Sequence, residues 1–154
     1  MIILALDLGT HCGYACSNGL SGTWELKPKT TESAGERYRK FQELLDTFMR
    51  LNKVGYVVYE EVHAHAAVEA AHVFGGLQAI LQTTCLNLGI EYKGIGVGAI
   101  KKHATGNGHS KKDAMIASAS LKFKSVNVID DNHADALWLL DYALKTFKPQ
   151  TTAN

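Results

Sequence analysis

The chain has 154 residues, a length that favours one domain of about 100–200 residues. Hydrophobic residues make up 46% and charged residues 20%, which excludes a disordered chain, and no apolar run reaches the ~18 residues that a membrane span needs. Sixteen basic residues stand against fifteen acidic, so overall charge selects no partner.

In chain order, residues 2–8, IILALDL, form an apolar run that ends in Asp7 and reads as a strand. No basic stretch precedes that run and no cleavage site follows it, so a signal peptide is not expected. Short strands at 14–17 and 23–26 flank the Asn18-Gly19 turn, giving three antiparallel strands. Residues 33–51 switch to helical spacing, with Tyr38, Phe41, Leu44, Leu45, Phe48 and Met49 on one face. GYVVYE at 55–60 is a second buried-type strand that ends in an acid. An alanine-rich segment, 64–88, is expected to be helical and to stop at Gly89. Residues 90–95 read as a strand, 97–103 as a short helix and 103–109 as a loop around Gly106-Asn107-Gly108. Ser110 is expected to cap a helix to about Leu121, and Asp130 or Asp131 to open a last helix through Phe147. The tail 149–154 is expected to fray. The order predicts one α/β domain over 1–148, with a mixed five-stranded sheet: an antiparallel meander, then crossover units carrying helices.

Two apolar strands thus end in acids, Asp7 and Glu60, and ligands of α/β sheets gather at the carboxyl ends of parallel strands. If these strands are parallel neighbours, the two carboxylates lie side by side. Asp131 and Asp135, four apart, share one face of the last helix, and His133 points away from it. At an effective dielectric of about 20, each pair of unit charges near 4 Å costs roughly 4 kcal/mol, so the cluster requires a divalent cation. All-oxygen ligands favour magnesium, with manganese substituting. Two such ions about 3.5–4 Å apart suit phosphodiester hydrolysis without a side-chain nucleophile. Asp131 alone is equally well read as a helix N-cap. Glu61 faces the other side of its strand.

Three blocks of the sequence, Ile3-Leu4-Ala5-Leu6-Asp7-Leu8-Gly9-Thr10 through Gly13-Tyr14-Ala15, Val58-Tyr59-Glu60-Glu61-Val62, and Asp131-Asn132-His133-Ala134-Asp135-Ala136-Leu137, resemble the RuvC-like Holliday junction resolvases of the RNase H-like nuclease superfamily. The resemblance extends over essentially the whole chain. It implies an RNase H-like fold with helices on both faces of the sheet, a homodimer, two magnesium ions per site, and paired nicks in four-way or other branched DNA. It implies metal-binding, catalytic roles for Asp7, Glu60 and Asp135. The family's fourth acid falls at Asn132, and the nearest acid is Asp131. Either Asp131, directly or through water, or the Asn132 amide oxygen fills that role. His63 stands where bacterial relatives carry an aromatic residue thought to wedge into the junction. The short chain resembles the phage-encoded branch, which places it in the cytoplasm of a bacterial or phage-infected cell.

From Lys93 to Lys124 there are seven lysines and one acid, Asp113, a basic surface on a neutral chain. Within it Lys101, Gly106, Gly108 and Lys112 also resemble the family, whose lysines hold DNA beside the active site. Lys101, Lys102, Lys111, Lys112 and His63 are therefore the candidate DNA contacts, with Lys112 foremost. The odd count of cysteines, Cys12, Cys16 and Cys85, fits a reducing compartment and supplies no four-ligand zinc site. His63, His65 and His72 lack acid or cysteine partners at ligand spacing, and His103 and His109 read as solvated loop residues. Trp24 and Trp138 read as packing residues. The small side chains of 64–88 suit close approach of a second copy's helix. The competing readings are a sugar kinase or actin-like ATPase, which needs a second lobe, a non-catalytic module for branched DNA, and a ribonuclease acting on RNA–DNA hybrids.

Overall fold

The computed structural model describes residues 1–147; the tail reading at 149–154 lies outside them. Five strands, β1 (Ile2–Asp7), β2 (His11–Cys16), β3 (Ser21–Glu25), β4 (Val54–Glu61) and β5 (Glu91–Gly96), form one sheet in the order β3-β2-β1-β4-β5. The β1–β2 and β2–β3 pairs are antiparallel, while β1–β4 and β4–β5 are parallel. The expected meander followed by crossovers is what forms.

Period-two burial explains the layers. On one face Leu4, Leu6 and Leu8 of the first strand and its extension join Val57 and Tyr59. They pack on Phe41, Leu45 and Met49 of α1 (Glu36–Leu51) and on Val73, Phe74, Leu77 and Leu81 of α2 (Val68–Leu88). On the other face Ile3, Ala5, Ala15 and Val58 meet Ile100 of α3 (Val97–Thr105), Met115 and Ala119 of α4 (Lys112–Lys122) and most of α5 (Asp131–Thr146). Helix α5 lies against β1 and β2, and its residues Ala136 through Leu140 are all buried. Trp138 packs in that core and donates to Ser118 Oγ at 3.1 Å. Trp24 stacks on Tyr14 with ring centroids 4.8 Å apart.

Several local expectations are corrected. The first two helices start at Glu36 and Val68, later than the spacing suggests. Ser110 does not cap α4: Lys111 holds the cap position without a side-chain bond. The Ser110 hydroxyl instead donates to the Asn107 carbonyl and bonds Thr105 Oγ1, closing the turn between α3 and α4. His103 belongs to α3, and its Nε2 lies 2.7 Å from Asp141 Oδ2. The acid that caps α5 is Asp130, whose Oδ1 accepts from the His133 amide at 2.8 Å and from Thr23 Oγ1 at 2.9 Å.

Three contacts dock the start of α5 on the meander. Thr23 holds the Asp130 cap. The Ile129 amide donates to His133 Nδ1, which leaves Nε2–H of a neutral ring to donate to Ser21 Oγ at 2.9 Å. Gly13 supplies the third: a Cβ there would lie 1.9 Å from the Asn132 carbonyl oxygen. Only a residue without a side chain lets the helix start rest on β2. Gly13→Ala is expected to push α5 away and to cost about 3 kcal/mol, the upper range for overpacking. Chemical denaturation would show this as a lowered midpoint with an unchanged slope.

Candidate active site

Residues Asp7 and Glu60 end neighbouring parallel strands, where Leu6 pairs with Tyr59. Asp135 lies one helical turn into α5 and faces them. One carboxylate oxygen from each of Asp7, Glu60 and Asp135 lies within 4.8 Å of the others. Asp135 Oδ1 is buried with no hydrogen-bond partner among the described residues. A buried carboxylate oxygen without a donor is costly, and beside two further carboxylates it fits a cation.

The electrostatics agree. Burial raises the Asp7 carboxyl well above its ordinary value, and the charges of Glu60, Asp135, Asp131 and Asp130 raise it further. Burial likewise lifts Asp135 to about 7, with Glu60 and Asp131 adding to the shift and Lys101 and Lys112 opposing it. Glu60 is raised by burial, against the pull of Lys101. These groups resist carrying negative charge together, which is the condition a divalent cation relieves.

The other acid behaves differently. Asp131 sits in the first turn of α5, outside the tight cluster, and accepts Lys112 Nζ at 2.7 Å. Its burial acts to raise its carboxyl, but the hydrogen bond and charge of Lys112 prevail and lower it. Lys112 is correspondingly raised, by the bond to Asp131 and then by its charge. The Asn132 backbone is the part that packs on Gly13. Glu61 points to the opposite side of β4 and lies over Gly94, as alternation requires.

The candidate DNA contacts divide. Lys101 and Lys112 lie near enough to act on the carboxylates. Lys102 is exposed in the last turn of α3 and Lys111 at the cap of α4. His63 projects from the β4–α2 connection, its side chain 81% exposed, with Nε2 3.9 Å from Glu61. Sequence reasoning offered Asp130 or Asp131 as the residue that opens α5, and missed Thr23 and Ser21 as the groups that hold its start. An Asp-Asp pair at a helix start signals a cap, but only the fold shows which of the two serves.

A mixed sheet in this order, with helices on both faces and carboxylates gathered where its two central strands and the closing helix meet, is an RNase H-like fold. Comparison with known proteins finds likeness to RuvC proteins. The chain is 28% identical over 148 residues to the "crossover junction endodeoxyribonuclease RuvC" of Brachyspira hyodysenteriae, covering 89% of each chain. It superposes on Thermus thermophilus RuvC in complex with a Holliday junction substrate with a TM-score of 0.76 at 18% identity, covering 94% of this chain and 93% of that one. The yeast mitochondrial Holliday junction resolvase Ydc2 matches with a TM-score of 0.67 at 10% identity, over 91% of this chain and 76% of its own. No protein-family model matches the chain. The resemblance to RuvC-like resolvases is thus carried by one homologous sequence and, for the fold, by two solved structures.

The cluster makes stability depend on pH. With Asp135 at about 7 when folded and about 3.9 when unfolded, the metal-free folded state binds more protons between those values. Its stability therefore falls as pH rises from about 4 to 7. His133, lowered by burial against the opposing charge of Asp130, adds the opposite slope below about 6.5. Comparison with Asp135→Asn cancels that second slope. In a chelator the melting temperature of wild type is expected to fall relative to Asp135→Asn between pH 5 and pH 8. Magnesium or manganese should restore it more at pH 8, and a variant that tracks wild type at both pH values would refute this.

Proposed function

We propose that this protein is a divalent-metal-dependent endonuclease that resolves four-way and other branched DNA by paired nicks, and that residues 1–148 form one nuclease domain. The observation that carries the reading is the convergence of Asp7, Glu60 and Asp135 within 4.8 Å on a RuvC-like fold. These three residues would hold magnesium, with manganese as substitute, at two ions per site. The second ion would be reached by Asp131 or by the Asn132 amide. When bound, such ions supply an activated water and offset the charge that builds on the phosphate and the departing oxygen.

The chain's own residues do the rest. Asp135 is aimed by Asp130, Thr23 and the His133–Ser21 bond, so the cluster is set before substrate arrives. Lys101 and Lys112 stand beside it and take phosphate oxygens. Lys112, its side chain 80% exposed, can leave Asp131 for a phosphate at little cost. Lys102, Lys111 and His63 extend the contact outward, and His63 retains a ring able to stack. In the hydrolysis the water oxygen bonds to phosphorus and the P–O3′ bond breaks. The products are a 5′-phosphate and a 3′-hydroxyl, a nick that ligase can seal.

A twofold dimer matches the twofold symmetry of an open junction. On α2 the exposed positions His72, Gly75, Ala79, Thr83 and Leu86 share one face, spaced by three and four residues. Gly75 has open space around it, whereas Gly76 is filled by the Tyr38 ring of the same chain. The first face is therefore the one available to a second copy. No helix among the described residues is long and apolar enough to cross a membrane. Cys12, Cys16 and Cys85 are buried and free, in keeping with the cytoplasm of a bacterial or phage-infected cell.

Cleavage of a labelled immobile four-way junction in magnesium, beside linear duplex and an RNA–DNA hybrid, tests the activity. Wild type is expected to give symmetric nicks in the junction, and Asp7→Asn to lose at least a thousandfold in rate. Preferential cutting of the hybrid would replace the reading with a ribonuclease. Sedimentation should show a dimer of the 16.8 kDa chain, and Ala79→Arg should return it to monomer while leaving its circular dichroism intact.

A further inference from the structure

Three buried side-chain atoms find no hydrogen-bond partner among the described residues: Asp135 Oδ1, Arg37 Nε and His65 Nε2. The first belongs to the carboxylate cluster. The residues that carry the other two line one cavity of about 350 Å³, walled also by Leu8, Val73 and Phe74 and by Glu69 at the start of α2. This cavity opens at the same end of β1 as Asp7 but on the α1–α2 face of the sheet. Leu8 and Gly9 follow Asp7 directly, and successive Cα atoms are about 3.8 Å apart, so its rim adjoins the carboxylates.

The lining specifies the ligand. An arginine Nε–H only donates and does not deprotonate. With no acceptor for its Nε among the described residues, the guanidinium gains one only by turning toward a ligand in the cavity. Arg39, two residues on, has no such need, since it pairs with Glu36 and Glu43. The His65 ring, 5.0 Å from Phe74 between centroids, lines the same space, and its buried Nε2 also lacks a partner among the described residues. Helix α2 begins here with Ala67 at its cap and no side-chain bond to its first amides, so their N–H groups and the positive end of the helix face the same rim. Glu69 is the single acid of the lining. With Arg37 it leaves little net charge, which suits a singly charged phosphodiester better than a doubly charged phosphate. Leu8, Val73 and Phe74 form an apolar wall fit for a deoxyribose.

We propose that the cavity between β1, α1 and α2 binds a backbone phosphodiester of the DNA strand, with Arg37 and His65 as donors, beside the phosphate presented to Asp7, Glu60 and Asp135. The site rests on the branched-DNA reading above. It gives the strand a second anchor on the far side of the β1 end, so that the scissile phosphate is held between two fixed points.

The test is equilibrium binding of the full chain to a four-way junction in a chelator, where no cleavage intervenes. Arg37→Met is expected to weaken binding about tenfold, the loss of one charge-assisted hydrogen bond. It should also lower the slope of log affinity against log salt by about one. Arg37→Lys, which keeps the charge but not the Nε donor, should keep the slope and lose part of the affinity. A single methylphosphonate is then placed in turn at each phosphate near the branch. One position should reproduce the Arg37→Met loss in wild type and cost nothing further in the variant. Unchanged affinity and slope in a folded Arg37→Met, or methylphosphonate losses that add to the variant at every position, would overturn the site. Equal binding of junction and linear duplex by wild type would instead overturn the branched-DNA reading, and the role given to this cavity with it.

Discussion

Everything at the functional end of this molecule follows from forcing three carboxylates together out of water. Burial is the first cause of the rise in Asp7, Glu60 and Asp135 alike, ahead of their mutual repulsion. The chain would relieve that stress by moving α5 outward, and the fold is built to prevent it. Parallel pairing of β1 with β4 fixes Asp7 and Glu60 in register. The Thr23–Asp130 bond, the His133–Ser21 bond and the contact of Gly13 with the Asn132 backbone hold the start of α5 against the meander. Further along, Ala134, Ala136, Leu137 and Leu139 are buried in the core, so the helix cannot slide without opening it. The hydrophobic core on that face offsets the cost of the site, which keeps a buried carboxylate oxygen unpaired among the described residues.

The four acids near the site are not equivalent, and the difference is local. Asp131 stands at the helix rim, partly exposed, where a lysine from the adjoining helix can reach it. Asp135, a turn deeper, has no such donor. The same helix therefore carries one carboxylate satisfied by protein and one left for a ligand. Such division arises when a helix start lies across the end of a sheet: its first turn faces the loops and its second turn faces the strand ends.

What could be read from the sequence had a short physical range. An apolar run ending in an acid is legible because strand burial and its end are both local, so Asp7 and Glu60 stood out. The i, i+4 pair Asp131 and Asp135 did too, since helical spacing sets a shared face. The partners of those acids were not legible. Which of Asp130 and Asp131 caps α5 depends on Thr23, over a hundred residues away in the chain. Ser110 has the chemistry of a cap, yet Thr105 and Asn107 capture its hydroxyl first. His103 reads as a loop residue until Asp141, 38 positions on, extends the helix around it. In each case a hydrogen bond outside the segment's own pattern, distant for Asp130 and His103 and in the adjoining turn for Ser110, overrode a sound local preference.

The cavity beside β1 was illegible for the same reason and shows more clearly what the fold adds. Its walls come from the residues after β1, from α1 and from the start of α2, and nothing in any one segment marks Arg37 or His65. Their meaning comes only from the lack of a partner once all three segments have packed. The alternation of β1 then separates two chemistries around one strand end. Odd positions lead to Asp7 and the carboxylates on the α5 face, and even positions lead to Leu8 and the arginine-lined cavity on the α1–α2 face. A cation and an anion cannot share one such site, but a strand offers both within a residue of each other because its side chains point to opposite sides. A phosphodiester chain presents that same need: negative oxygens to be neutralised at one phosphate and held by donors at another. The end of β1 thus sets a carboxylate cluster and an arginine-bearing cavity within a residue of each other, on opposite faces of the sheet.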